Sequence, residues 1–243
     1  LLAIDMGGYQ LSMELAENPL IGRYAGIVAA SVFGCTIVFS IPVGMGLIEE
    51  GDRPVFAKGI MLGLAAMPAA LITGGAVCGL GIGEILHQNL PVLVLALLLG
   101  IGLFRIPDGM VKGFEVFAVL IRTVITAGLV LAAVTYMTGF VVIPGMAPIE
   151  EAMAVVSSIG VVLLGSLPVT EFLQRRLKRP CTALGARMGL DSISVLGLLV
   201  SIVSPIPALV MMKDMNTFGK LVNVAYMVSS ASMLAAHLGS TVS

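Results

Sequence analysis

The sequence has no tryptophan, only two histidines, and little charge: Asp, Glu, Lys and Arg make up 11% of its 243 residues. A water-soluble domain of this length needs a charged shell, for which roughly a quarter of residues is ordinary, so a soluble globular fold is excluded. A net charge of −1 offers no basic surface for nucleic acid. Three cysteines, Cys35, Cys78 and Cys181, are an odd count without metal-ligand spacing and are read as reduced. There is no Gly-x-Ser-x-Gly elbow, no His-Glu-x-x-His pair, and no pair of acids within an apolar run that could hold a metal. An enzyme is therefore not expected, and neither is a cofactor. Gly79-Leu80-Gly81-Ile82-Gly83 resembles a nucleotide loop, but no strand or phosphate-binding context surrounds it.

Apolar residues fill the space that charge leaves. They reach 58% of the chain, with a mean hydropathy of +1.08, and this excess has to face lipid. Runs free of Asp, Glu, Lys and Arg cover Tyr24–Ile48, Gly59–Gly83, Ile85–Phe104, Thr123–Ile149, Ala152–Thr170, Ser192–Met212 and Leu221–Ser243. A helix crossing the hydrocarbon core needs about 20 such residues. Six of the runs read as ordinary spans. The seventh, Ser192–Met212, is interrupted by Ser204-Pro205-Ile206-Pro207, and two prolines there remove backbone donors and break the helix. The fold class expected is all-α, a polytopic membrane helix bundle with broken or re-entrant helices, in a single transmembrane domain over 1–243. Gly75, Gly79 and Gly83 are read as a small-residue stripe for close helix contact. Leu1-Leu2 at the start and Ser243 inside an apolar run lead us to expect a piece of a longer chain with further spans at both ends.

Basic residues in short loops set the orientation. Loops 49–58, 105–115 and 174–190 carry Lys and Arg, whereas His87-Gln88-Asn89 and residues 139–151 carry none. The basic loops are therefore expected on the cytoplasmic side of a cell inner membrane, with Arg175–Arg179 as solvated loop charges. If Ser192–Met212 enters and returns as a hairpin, loop 213–220 is cytoplasmic too, and twelve of the thirteen basic residues lie on that side.

Sliding the start of the chain by 197 positions lays Gly22-Arg23 on Gly219-Lys220 and Glu17 on Asp214. In both copies, near 1–47 and 198–243, a broken apolar segment leads to a charged turn and then a span. The orientation puts the first turn outside and the second inside, as in the inverted repeats of secondary transporters.

Asp5-Met6-Gly7-Gly8 is the sharpest candidate for chemistry. A carboxylate at membrane depth needs a cation, a partner or water, and Gly7 and Gly8 permit turns that free carbonyls for a ligand. Thr36 and Ser40 share a helical face just before Pro42, where hydroxyls either meet a ligand or satisfy a carbonyl freed by the proline. Asn223, Ser230 and His237 recur every seven residues and are expected to face the bundle interior. Ser204 and Pro205 form the tip of the broken run. The expected binding set is Asp5, Gly7, Gly8, Thr36, Ser40, Ser204, Pro205, Asn223 and His237. The partners expected are the lipid bilayer and a small-molecule substrate, with homo-oligomerisation left open.

These motifs together resemble the EutH-type ethanolamine permeases of ethanolamine-utilisation operons. The resemblance is carried by Asp5-Met6-Gly7-Gly8 with Glu14-Leu15-Ala16, and by Thr36-Ile37-Val38-Phe39-Ser40-Ile41-Pro42-Val43. It continues through Asp52-Arg53, Gly113-Phe114, Ile143-Pro144-Gly145, Leu163-Leu164-Gly165, Met211-Met212-Lys213, Gly219-Lys220 and His237-Leu238-Gly239. It implies a transporter for ethanolamine, a small polar cation whose ammonium Asp5 would hold and whose hydroxyl Ser, Thr or Asn would bind. Two departures from the pattern stand out: Ser204-Pro205 where an Asn pair is expected, and Ala236 where an acid is expected. A channel or facilitator, and a non-transporting membrane scaffold, are the competing readings.

Overall fold

The computed structural model describes residues 9–34, 36–145 and 148–230, which are mostly helical, with no strand among them. The helix α4 (Arg53–Val77) is its centre. At 1.5 Å per residue its 25 residues span about 37 Å, enough to cross a bilayer. Phe56, Ile60, Met61, Met67 and Leu71 are fully buried along it. It packs on α11 (Thr217–Ser230), α6 (Leu90–Arg105), α7 (Pro107–Thr138) and the segment after α2 (Pro19–Arg23).

The α4–α11 contact shows what two of the glycines do. A Cβ on Gly59 would sit 2.6 Å from Val224 Cβ, and one on Gly63 would sit 2.4 Å from Val228 Cγ2. Two valines four residues apart thus seat on two glycines four residues apart. Lipid supplies no hydrophobic drive for helices to associate, so close backbone approach supplies dispersion instead.

The expected stripe Gly75, Gly79 and Gly83 is not one. The helix ends at Val77, and Gly79 adopts φ +83°, a left-handed conformation that glycine tolerates best. Gly79 N donates to Ala76 O and Leu80 N to Gly75 O, both at 3.0 Å, which closes the end with the paired bonds of a Schellman motif. The run expected as Gly59–Gly83 therefore holds most of α4, a turn, and the first two residues of α5 (Ile82–Gln88).

The pair α5 and α6 is bent by 69°, and Pro91 lies in the first turn of α6. Asn89, buried at the bend, donates to Ile85 O (2.7 Å) and to the Tyr24 hydroxyl (2.6 Å). That hydroxyl donates to Leu71 O at 3.3 Å. A polar chain thus pins the bend to α4 in an otherwise apolar interior.

Near the start, α1 (Tyr9–Leu15) and α2 are short and joined at Asn18, which caps α2 by accepting from Leu20 N at 2.9 Å. From Tyr24 the helix widens to π winding over Tyr24–Gly34 and Thr36–Ser40, and it narrows again at α3 (Ile41–Leu47), with Pro42 in the first turn. Among its described residues the run Tyr24–Ile48 is helical as far as Leu47, but not as one uniform α-helix.

Among the described residues two helices are long and apolar enough to cross a membrane, Glu50–Val77 and Pro107–Thr138, and two bent pairs pass the same test together. Only 11% of the apolar window of Pro107–Thr138 is buried, against 50% for Glu50–Val77. The hydroxyls of Thr123, Thr126, Thr135 and Thr138 on α7 each bond the carbonyl four residues back, which removes unpaired donors from its apolar surface. The molecule is an all-α membrane helix bundle. The expected basic loops are mostly helix: α4 begins at Arg53, α7 at Pro107 and α11 at Thr217, and α8 (Ile149–Met188) carries Arg175–Arg179 within it. Arg and Lys are good helix formers, and Pro107 suits a first turn.

Gly63→Ala is expected to lower the thermal midpoint of the detergent-purified protein, by an amount equivalent to about 1–3 kcal/mol. Adding Val228→Ala should restore part of the loss. No change in the single variant would show that the glycine–valine contact is looser than described.

Candidate functional site

The interrupted run resolves into α9 (Ser192–Ser201) and α10 (Pro205–Met211), which pack on one another. At the break, Ser204 N still reaches Val200 O at 2.9 Å. Ser204 itself is extended, and its hydroxyl accepts from Ile206 N at 3.4 Å. Pro205 opens α10 and Pro207 lies in the same first turn, where missing N–H groups leave no gap. Pro205 is buried and Ser204 half-buried.

The two ends of this segment meet. Asp191 caps α9 by accepting from Ser194 N at 2.6 Å with one oxygen. Its other oxygen accepts from Asn216 N at 2.7 Å. Asn216 in turn accepts from Gly219 N at 2.6 Å, capping α11. A segment whose start and finish hold one carboxylate has not crossed a layer of about 30 Å. Ser192–Met212 is a hairpin, as expected.

Its base lies at one end of α4. Lys220 Nζ is 2.5 Å from Asp52 Oδ1, and both side chains are largely shielded from solvent, at 15% and 12% exposure. Asp52 closes the short turn Glu50–Asp52 that leads into α4. At the opposite end of α4, a cavity of about 550 Å³ is lined by Leu15, Glu17 and Ile21 on one side and by Glu84 and His87 of α5 on the other. The turn after α1 and the turn after α10 therefore lie at opposite ends of one membrane-length helix. Both are followed by an asparagine, Asn18 or Asn216, that caps the next helix.

The predicted residues divide. Asp5, Gly7, Gly8 and His237 lie outside the described residues. Thr36 is buried, with Oγ1 3.0 Å from Val32 O and 3.2 Å from Val228 O on α11. Its hydroxyl thus binds helix to helix rather than serving Pro42. Ser40 is buried where the π winding meets α3, and α3 packs against α10. Thr36 and Ser40 therefore sit in the segment between the hairpin and α11. Asn223 is buried but turned toward α9, donating to Ser194 O (3.0 Å) and Gly219 O (2.9 Å). Its Oδ1 has no partner among the described residues and lies against Gly197, where a Cβ would approach to 2.4 Å. One donor ties α11 to α9 and the other closes on the backbone of α11 itself.

Sequence reasoning missed Asp191, Asn216 and the Lys220–Asp52 pair. For the first two a signal existed, since Asp or Asn directly ahead of a helical run is an N-cap pattern. No local pattern pairs residues as far apart as Asp52 and Lys220.

The whole chain, residues 1–243, matches the family model for the ethanolamine utilisation protein EutH. The chain belongs to the EutH family. It is 40% identical over 239 residues to "Uncharacterized protein YxeR" of Bacillus subtilis, covering 98% of this chain and 65% of that protein. It is 38% identical over 241 residues to the "Probable ethanolamine permease EutH" of Listeria monocytogenes, covering 99% and 65%. The Escherichia coli protein of the same name is 37% identical over 263 residues, covering 98% and 64%. The chain thus spans about 65% of the length of these relatives. No solved structure matches.

Two experiments test this geometry in the full-length EutH-family protein. With Cys35, Cys78 and Cys181 replaced by serine, a membrane-impermeant maleimide should reach Lys213→Cys and Glu50→Cys from one side, and Glu17→Cys and His87→Cys from the other. Labelling of Lys213→Cys together with Glu17→Cys would overturn the hairpin. Separately, Asp52→Asn is expected to destabilise the fold by about 2–4 kcal/mol in thermal or denaturant unfolding, because it strands the Lys220 ammonium in a shielded site. Adding Lys220→Met should recover much of that loss.

Proposed function

We propose that the full-length protein carries ethanolamine across the inner membrane by alternating access. The observation that carries this reading is the α9–α10 hairpin, a helix broken at Ser204–Pro205 inside a membrane bundle. Irregular backbone at membrane depth is tolerated only where protein or a water-lined cavity covers it, and broken helices with such tips are how many secondary carriers build their sites. The substrate assignment rests on the family and on the printed names of the Listeria and Escherichia relatives.

The short-helix, capped-turn, long-helix order of 9–34 and of 205–230, with the two turns at opposite ends of α4, supports an inverted repeat relating the two copies. The basic loops face the cytoplasm, and the Glu17–Glu84 cavity then opens outward. Two carboxylates at an outer mouth favour a cation on approach. In this scheme Asp5 holds the ammonium, with Gly7 and Gly8 freeing carbonyls beside it. Ser40 and Ser204 offer hydroxyls to the substrate oxygen, Thr36 contributes by holding its helix against α11, and Pro205 sets the hairpin tip. His237 completes the set on the last span. Asn223 contributes by holding α11 against α9.

A passive facilitator is the second reading, since α-helical breaks also line channels. Proteoliposomes with the full-length protein should accumulate labelled ethanolamine, and Asp5→Asn should cut the initial rate about tenfold or more at unchanged protein yield. That estimate follows from removing a buried charge partner worth a few kcal/mol. Unchanged uptake in Asp5→Asn removes Asp5 from the site. Stimulation of uptake by internal unlabelled ethanolamine marks a carrier, and its absence marks a channel.

A further inference from the structure

We infer that the elbow between α8 and α9 binds an anionic phospholipid at the base of the hairpin. The transport reading does not enter into this inference. It needs only that the chain is a membrane protein.

The helix α8 has 40 residues, about 60 Å of helix, roughly twice the thickness of a hydrocarbon core of about 30 Å. Its C-terminal third therefore lies at or beyond the headgroup layer. The stretch 171–188 carries Arg175, Arg176, Lys178, Arg179 and Arg187, all exposed, against the single acid Glu171. Glu171 pairs with Arg175, and Arg176 lies 5.5 Å over the ring of Phe172. Asp191, the nearest carboxylate of the turn, commits both oxygens to backbone N–H groups of Ser194 and Asn216. Among the described residues Arg176, Lys178, Arg179 and Arg187 have no carboxylate within ion-pair distance. The field at this elbow is strongly positive.

Charge alone would describe any cytoplasmic-type loop. The elbow adds shape. The chain turns by 101° between Arg175–Met188 and Ser192–Ser201, and a cavity of about 360 Å³ opens in the angle. Arg175 and Lys178 stand at it on α8, Ser192 at the start of α9, and Leu177, Ile193 and Leu196 form apolar wall. Cations beside an apolar wall match a molecule that is anionic at one end and hydrocarbon at the other. Phe172, Leu184 and Met188 on the same stretch are about half exposed, which places greasy surface beside the cations where acyl chains would lie. Inorganic phosphate would use the cations but leave the apolar wall bare. Basic pockets between helices at a membrane surface bind anionic headgroups in this way. Occupied, the site would bridge α8 to the first turn of α9 and so brace the hairpin where Asp191 anchors it.

The test uses the full-length protein, purified in detergent and in phosphatidylcholine nanodiscs. Titrating phosphatidylglycerol is expected to raise the thermal midpoint saturably, and native mass spectrometry should retain a bound phosphatidylglycerol in preference to phosphatidylcholine of equal chain length. Arg175→Gln with Lys178→Gln should weaken the apparent affinity about tenfold or more, since each cation near an anionic surface contributes on the order of 1 kcal/mol. Arg105→Gln with Lys112→Gln, on another basic stretch, should leave it unchanged. Ser192→Trp, which fills the cavity and leaves every charge in place, should also lose retention, and it decides the matter if the double variant fails to fold. The inference is overturned if the variants at the elbow bind phosphatidylglycerol like the parent. It is equally overturned if Arg105→Gln with Lys112→Gln weakens binding as much, or if inorganic phosphate alone reproduces the shift.

Discussion

Asp191 holds two backbone N–H groups with one carboxylate, and most of the architecture around the hairpin follows from that. Each bond is charge-assisted, at 2.6 and 2.7 Å, and hydrogen bonds to charged groups contribute about 1.5–3 kcal/mol each. One oxygen starts α9 and the other receives the chain as it leaves the Met212–Asp214 turn. The segment between them has to return to its origin, so its tip points into the bundle. The same turn delivers Asn216 to cap α11 and Lys220 to reach Asp52. Hairpin base, α11 and α4 are thereby locked into one corner.

A broken helix in a membrane exposes backbone groups that no water can satisfy, and the chain answers several of its breaks with a short polar side chain or a proline. Asn18 and Asn216 cap helices with their amide oxygens, Ser204 with its hydroxyl, and Pro205 removes the donor that would otherwise be orphaned. Asn89 reinforces the bend between α5 and α6 in a similar manner and ties it to Tyr24. Polar residues are few, and those described here are spent largely where the helical ladder stops. That economy is the reason a sequence with 11% charge still builds an irregular interior.

Packing between intact helices uses glycine. Val224 and Val228 enter the grooves over Gly59 and Gly63, and the α9–α11 contact repeats the device with polar knobs. Ser194 lies over Gly219 and Asn223 over Gly197, each where a Cβ would come within 2.4 Å of an oxygen. Over Gly197 the close approach lets the Asn223 amide reach Ser194 O on the neighbouring helix, while the Ser194 hydroxyl over Gly219 has no hydrogen-bond partner among the described residues. The small residue and the polar residue are therefore one feature seen from two helices.

Read alone, the sequence determined the membrane class, the broken run at Ser204–Pro205 and the family, because each rests on local composition: length of apolar run, proline in a helix, ordered motifs. It also supported a hairpin through the asymmetry of its basic loops, since charge that cannot cross lipid leaves a record along the chain. It misjudged Gly75–Gly79–Gly83 as a stripe and Arg175–Arg179 as a loop, because helix ends depend on one or two residues and a charged helix has the composition of a loop. Only the tertiary structure decided that Asp52 meets Lys220, that Asn223 faces α9, and that the turns after α1 and α10 occupy opposite ends of α4. In a mostly apolar chain nearly every helix face satisfies lipid. Which faces turn inward, and which distant polar groups then meet, is settled by close packing over small residues and not by any pattern readable along one helix.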